Sequence, residues 1–422
     1  MSDRPVIADR YQSDYLFLLV GTNPLPNFVA AKLLLKPEGE LYLVHSRATQ
    51  PVAERLARYW TEKEKRARPQ YVCVDEADGA DIRRNIEYVL NSIGNGHIGL
   101  NYTGGTKTMS VHACQTLLRH QEAQRRHATL SYLDARSNKM YIEHGSDQPF
   151  ASESVLYKVK PSLRDIVELH AFKLVSGIDK QAMLPHLAEA LAQAHQSQEA
   201  GKAWRTWCDN VLRKLTRTKK GSDWDSESML KNVRLPLPDS DSLRDFVSKI
   251  RGEFCLSQEE DTLLLVQAAQ QSNIQKVRHL CEWLDGKWLE HYVLDCVSRI
   301  QTQCGIHDVG MGIRPKSEED RPEYDIDIGV MQGYRLYAIS CATDADPGMC
   351  KLKLFEAYLR ARNMAGDEAY VALVCMADNP EKIERQVGRS WDAAGKVRVF
   401  GRTHLDNLSD HLKEWFLSAG SQ

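Results

Sequence analysis

The sequence predicts an α/β protein with two α/β units joined by a helical stretch. Three observations predict it. Over the first 145 residues or so, short apolar runs alternate with amphipathic stretches. From about Leu163 to Cys281 the pattern is mostly helical. Beyond that, strand and helix patterns return in a different order. These shifts divide the chain into expected segments 1–150, 151–280 and 281–422.

In the first segment "YLFLLV" (15–20), "ELYLVHS" (40–46), "QYVCV" (70–74), "HIGLN" (97–101) and "ATLSYLD" (128–134) read as strands. Several are apolar enough to be buried on both faces, as in a parallel sheet covered by helices. "PVAERLARYWTEKEKRA" and "MSVHACQTLLRHQEAQRR" carry the helical period between them. Strand and helix in alternation give a doubly wound parallel sheet. "DARSN" followed by "KMYIEH" predicts a closing hairpin.

The middle segment is broken by the polar stretch "TRTKKGSDWDSES" (216–228), and nothing chemical in it tells a helical linker from a winged-helix unit. In the last segment "GKWLEHYVLDCVSRI" (286–300) predicts a helix. "EYDIDIGVMQGYRLYAISCAT" (323–343) predicts two strands turning at Gly333, and "CKLKLFEAYLRARNMAG" (350–366) a helix ending on glycine. "EAYVALVCMA", "PEKIERQVGRSWDAAG" and "VRVF" then read as strand, helix and strand.

Composition bounds the function. The 422 residues are 42% hydrophobic and 27% charged, with a formal net charge of −2. Coating nucleic acid by bulk charge is excluded, so a polyanion must meet a local patch. Ten cysteines run from Cys73 to Cys375 without a C-x-x-C pair, which suits a reducing compartment better than a disulfide framework or zinc ribbon. "MSDRPVIADR" lacks the apolar core of a signal peptide, and no apolar run approaches the ~18 residues of a membrane span. The expectation is a soluble cytoplasmic protein with no membrane partner.

In an open parallel sheet, ligands settle beyond the strand ends where the strand order reverses, commonly between the first and fourth strands. Both of those strands end in unusual loops here, "GTNPLPN" (21–27) and "YTGGTKT" (102–108). Glycines let backbone approach a ligand, and the free N–H groups of a helix start attract an anion. Lys107 adds a full charge; Thr103, Thr106 and Thr108 add hydroxyls. The nucleotide-triphosphate loop needs glycine before its lysine, and Thr106 occupies that position. No G-x-G-x-x-G follows the first strand, which argues against a dinucleotide. Read alone, the Gly104–Gly105 pair is also consistent with a tight turn and Lys107 with a solvated helix start.

Together, "VGTNPLPN" and "NYTGGTKTMS" resemble the ligand loops of the CRISPR-associated Rossmann fold (CARF) domain, a resemblance covering the whole N-terminal segment. It implies a Rossmann-like domain working as a homodimer that cradles a cyclic oligoadenylate, such as cyclic tetra-adenylate, made during type III CRISPR antiviral defence. A ring of repeated phosphates suits a twofold pair, because each subunit offers the same donors. The implied ring contacts are Thr22, Asn23, Thr103, Gly104, Gly105, Thr106 and Lys107, with His45 and Ser46 as weaker candidates.

The last segment resembles the PD-(D/E)xK, restriction-endonuclease-like fold of CARF-linked nucleases acting on DNA, RNA or both. "GKWLEHYV" resembles the first core helix and offers Glu290, while "YDIDIGV" offers Asp327 with Asp325 as neighbour. The resemblance implies Mg2+ or Mn2+ at Asp327 and Glu290, since hard cations take oxygen ligands. Where that family has E-x-K this chain has Ser340, Cys341 and Ala342. Two readings follow. In one, the chemistry has moved to Lys351, Lys353 and Glu356 on the next helix, where Lys353 and Glu356 share a face at i, i+3. In the other, the domain is catalytically degenerate and the protein is a sensor or adaptor signalling by dimer rearrangement. Each residue also has a plain structural reading: Lys353 and Glu356 as a solvated helix pair, Glu290 as a surface residue. Asp325 and Asp327 alternate along a strand and share a face, which is costly without a cation beside them.

Overall fold

The computed structural model describes residues 7–419 apart from 8, 125–127, 144–150, 171, 219–222, 255–261, 318–324, 367–368, 391–392 and 394. The first unit alternates β1 (Ser13–Leu19), α1 (Leu25–Leu34), β2 (Leu35–His45), α2 (Gln50–Glu62), β3 (Gln70–Cys73), α3 (Gly79–Ser92), β4 (Ile98–Asn101), α4 (Lys107–Gln124) and β5 (Ala128–Asp134). β6 (Lys139–Glu143) and β7 (Ala151–Ser154) complete it. The sheet order is β3-β2-β1-β4-β5-β6-β7, parallel through β5 and antiparallel beyond. The order reverses between β1 and β4, as expected, and the expected hairpin is β5–β6.

The middle stretch holds α5 (Leu163–Leu169), β8 (Phe172–Leu174), α6 (Pro185–Ala194), α7 (Gln198–Trp207), α8 (Arg213–Thr216), α9 (Glu227–Leu230), β9 (Arg234–Pro236), α10 (Arg244–Glu253), β10 (Thr262–Leu264), α11 (Leu265–Gln271) and α12 (Val277–Glu282). It is mostly helical, but it is not a loose connector. Leu187, Trp204, Phe246, Leu280 and other residues of its helices share one core with the last unit. The polar stretch 216–228 lies partly outside the described residues.

The last unit comprises α13 (Trp288–Ile300), β11 (Ile306–Ile313), β12 (Pro315–Ser317), β13 (Ile326–Gln332), β14 (Arg335–Ala342), α14 (Pro347–Ala365), β15 (Tyr370–Cys375), α15 (Pro380–Ser390), β16 (Val397–Phe400) and α16 (Leu408–Ser418). Its sheet order is β11-β13-β14-β15-β16, antiparallel at one side and parallel at the other. The expected helix 286–300 begins later. Gly286 has non-helical angles and kinks the chain before Trp288. Gly333 turns β13 into β14 at φ 60, and a Cβ there would lie 1.9 Å from the Leu156 carbonyl, so only glycine fits.

Three apolar cores explain the layering. One face of the first sheet packs on α3 and α4 through Phe17, Val44, Ile86 and Met109. Its other face (Leu16, Leu18, Leu43), with α1, α2 and α5, joins α14 and one face of the last sheet (Leu336, Val371, Leu373) in a single core. The remaining face (Val330, Tyr337, Ile339) packs on α13, α16 and the middle helices. The expected boundaries near 150 and 280 therefore do not interrupt the packing.

Buried histidines make stability depend on pH, His195 and His291 among them. Burial holds His195 and His291 down at about 4, against 6.5 when exposed. Both stay neutral in the folded chain, while the unfolded chain binds a proton at each as the pH falls through about 6.5. Their contribution is complete above 6.5 and is lost as the pH falls toward 4. Linkage gives a loss of about 2 kcal/mol per histidine at pH 5. Urea unfolding at pH 7 and pH 5 is expected to show this drop, and His291→Asn to remove its share of the pH dependence.

Candidate functional site

Leu18 of β1 pairs with Asn101 of β4, so the loops following these strands meet at the sheet's carboxyl edge. They meet closely. A Cβ on Gly104 would stand 2.3 Å from the Leu19 carbonyl, and one on Gly21 3.2 Å from the Gly105 nitrogen. Gly105 is at φ +75, where a side chain would be strained. Asn101 accepts from the Thr103 N–H at 3.3 Å, and Asn27 donates to the Leu19 carbonyl at 2.8 Å, which fixes both loops.

The seven expected ring contacts divide by what they do in this conformation. Thr106 caps α4, its hydroxyl accepting from the Met109 N–H at 3.2 Å and donating to the Glu76 carbonyl at 3.3 Å. Thr103 accepts from the Leu133 N–H at 2.7 Å, and its own O–H is left to donate. Thr22, Gly105 and Lys107 are exposed at the mouth, with Gly104 half-buried beside them. His45 and Ser46 are buried, with the His45 ring on the Ser46 carbonyl at 3.0 Å.

Asn23 is engaged elsewhere. Its amide donates to the Ala365 carbonyl at 3.2 Å, at the last residue of α14, and its oxygen lies 3.1 Å from His170 Nε2 and accepts from the Leu25 N–H at 3.0 Å. Burial lowers His170 to about 4, while its hydrogen bond to the Ile166 carbonyl opposes the shift. A Cβ on Gly366, which ends α14 at φ +75, would lie 2.0 Å from the Asn23 amide nitrogen. A loop at the mouth of the first sheet thus grips the end of a helix of the last unit. The sequence marks Gly366 only as a helix stop.

The start of the same helix borders a second site. A cavity of about 530 Å³ is lined by Lys287, Glu290, Arg314, Cys341, Ala342 and Lys353, among others. Asp327 adjoins its wall, accepting from the Ser340 hydroxyl at 2.9 Å and the Cys341 N–H at 2.7 Å. Burial raises Glu290 well above the usual carboxylate range and the charge of Asp327 adds to it, with Lys287 opposing. Burial raises Asp327 as well, while its two hydrogen bonds and Lys353 pull the other way. Ser340 therefore supplies a hydrogen bond to Asp327, and Lys353 on α14 is a cation whose charge acts on it.

The other expected residues lie apart from this pair. Asp325 is exposed and takes Arg314 as counter-ion at 3.4 Å, and its carbonyl accepts from Arg360 at 3.0 Å. Glu356 turns to Arg360 at 3.5 Å, so of the Lys353–Glu356 pair only Lys353 lines the cavity. Lys351 is half-buried and not among its lining residues. Lys287 and Arg314 were not anticipated. Lys287 was legible three residues before Glu290, whereas Arg314 reaches the cavity only through the pairing of β11 with β13. Among the described residues no group of three or more His, Cys, Asp or Glu stands close enough to hold a metal.

Residues 277–419 match the family described as Card1-like, endonuclease domain. No curated protein matches the sequence. The solved structure of Can2 from Sulfobacillus thermosulfidooxidans, in complex with cyclic tetra-adenylate, is similar over 95% of this chain and 99% of that one, at 15% identity and a TM-score of 0.68. Protein VC1899 from Vibrio cholerae is similar over 97% of this chain and 100% of that one, at 14% identity and the same TM-score of 0.68. At such identities the likeness is one of fold. The chain therefore has the architecture expected of it, a Rossmann-like sheet domain followed by a second α/β domain, and its residues 277–419 are similar to the Card1-like endonuclease domains.

Proposed function

We propose that this protein is a type III CRISPR ancillary effector: a cyclic oligoadenylate, such as cyclic tetra-adenylate, binds at the β1–β4 mouth and activates phosphodiester cleavage of DNA or RNA in the C-terminal domain. The observation that carries the reading is α14. It borders the Glu290–Lys353 cavity at its start and meets the mouth loop through Asn23 at its end. Can2, which has this fold, is seen with cyclic tetra-adenylate bound. A ligand drawing Asn23 toward its phosphates would release Ala365 and shift α14, provided that it binds the shifted arrangement more tightly.

In the cavity Lys353 and Lys287 would attract the phosphate. Asp327, held by Ser340 and the Cys341 N–H, would keep its orientation during the reaction. Glu290 and Asp327 are two oxygen donors whose close charges favour a cation between them. Two carboxylates suit a hard ion that keeps several waters and takes substrate oxygens as further ligands, as Mg2+ does; Mn2+ also accepts oxygen. A divalent ion there would polarise the scissile phosphate.

A homodimer fits this reading. Met349, Leu352, Phe355 and Leu359 form an exposed apolar stripe along α14. Such a stripe is what a second copy would cover. The second reading, a sensor or adaptor that binds the ring without cutting, is favoured by Ser340 and Ala342 at the E-x-K positions and by the two-carboxylate donor set.

Three outcomes are expected. Lys107→Ala should weaken cyclic tetra-adenylate binding roughly ten- to a hundredfold in calorimetry, the worth of one charged hydrogen bond, with the melting curve unchanged because the side chain is exposed. With Mn2+ and ring present, supercoiled plasmid or single-stranded RNA should be cut. EDTA should stop this, and Asp327→Ala or Lys353→Ala should slow it by about a hundredfold or more, while Lys351→Ala should not. Ring binding with no cleavage under any metal would establish the adaptor instead. Asn23→Ala should raise ring-independent cleavage several-fold, because α14 loses its tie; unchanged basal cleavage would sever the mouth from the cavity.

A further inference from the structure

A larger cavity, of about 710 Å³, lies where the middle helices meet the last unit, and its size is that of a small-molecule site. His195, Gly201, Trp204 and Trp288 form part of its wall. Trp204 is fixed by stacking on Trp207 at 4.7 Å and by the edge of Phe246 at 5.2 Å. The Trp288 ring lies 4.7 Å from His195 and is fully buried, yet its indole N–H has no partner among the described residues, which is costly to leave unmade. His195 Nδ1 lies 2.8 Å from the Leu191 carbonyl and must carry the hydrogen, so Nε2 of this neutral ring is an acceptor. Aromatic rings, an unsatisfied donor and a lone pair therefore border this cavity. This is the chemistry that recognises the face and edge of a nucleobase.

The cavity also adjoins the Glu290–Lys353 cavity. Arg205, Asp285, Thr343 and Asp344 line both. The partition is stiff: Arg205 donates to the Thr343 carbonyl, and Asp285 holds Arg213 at 2.8 Å and Arg217 at 2.6 Å. A nucleotide with its phosphate at Lys353 would have its neighbour's base on the far side of this partition.

We propose that this cavity is a nucleobase pocket, which receives an unstacked base of the nucleic-acid strand beside the scissile phosphate. This deepens the nuclease reading and rests on it for the phosphate's position. Gly201 of α7 provides the test, since a Cβ there would come 3.3 Å from His195 Cδ2 and a larger side chain would fill the space.

Fluorescence anisotropy of the full chain with a short labelled single strand is compared with the same strand carrying abasic positions. The normal strand is expected to bind roughly tenfold tighter, the scale of one base–aromatic contact. Gly201→Leu should abolish the difference, and adenosine or cytidine monophosphate should compete where ribose phosphate does not. Arg205→Ala, which removes an exposed cation lining both cavities, should weaken both strands alike. Equal binding of normal and abasic strands, or a difference that survives a folded Gly201→Leu, overturns the pocket. Competition by monophosphate without base-dependent strand binding overturns the strand assignment and gives the site to a free nucleotide. Absent cleavage with base-dependent binding intact refutes only the nuclease reading, while cleavage without base dependence refutes only the pocket.

Discussion

The burial of one side of α14 is the constraint on which the two sites depend. Cys350, Leu354, Ala357, Tyr358, Ala361, Met364 and Ala365 of this helix enter a core built from both sheets. Each large apolar side chain fully buried there contributes about 1.5–3 kcal/mol. The helix is therefore fixed in azimuth, which turns Lys353 toward Glu290 and Asp327. Between Lys353 and Gly366 lie thirteen residues of rise, roughly 20 Å at 1.5 Å each. A rigid helix of that length can carry a displacement at Asn23 to the cavity without a relay of side chains.

Around Asp327 the magnitudes separate structure from function. The exposed Arg314–Asp325 pair contributes about 0–1 kcal/mol at most and cannot organise the site. Asp327 is different, because a half-buried carboxylate with two donors gains about 1.5–3 kcal/mol from each charged hydrogen bond. Even so, burial raises its pKa, and that of the adjacent Glu290 as well. Folding keeps these two acids together against the cost of burying their charges. Such pairs are what catalytic and cation-binding clefts require.

Most of the fold was legible in the sequence. The five parallel strands, the β5–β6 hairpin, the Gly333 turn and the Gly366 stop all follow from local periodicity and from glycines with a specific steric duty. The middle segment was read less well. Its helices carry apolar faces in sequence, but which sheet covers them depends on contacts between residues a hundred or more positions apart, such as Trp283 Nε1 on the Met183 carbonyl at 3.2 Å.

By itself, the sequence determined the residue types at each strand end: the glycines and Lys107 of the first sheet's mouth, and the acids of "WLEHYV" and "DIDIG" beside Ser340 and Ala342. Those types follow from chain-local chemistry. Only the tertiary structure decided which groups meet. It drew Asn23 to Ala365, turned Glu356 to Arg360 and away from the cavity, brought Lys353 to Asp327, and walled one cavity from the next with Arg205 and Asp285. The physical reason is that a side chain's partner is set by the azimuth of its helix and the register of its strand, and both are fixed by burial against distant parts of the chain.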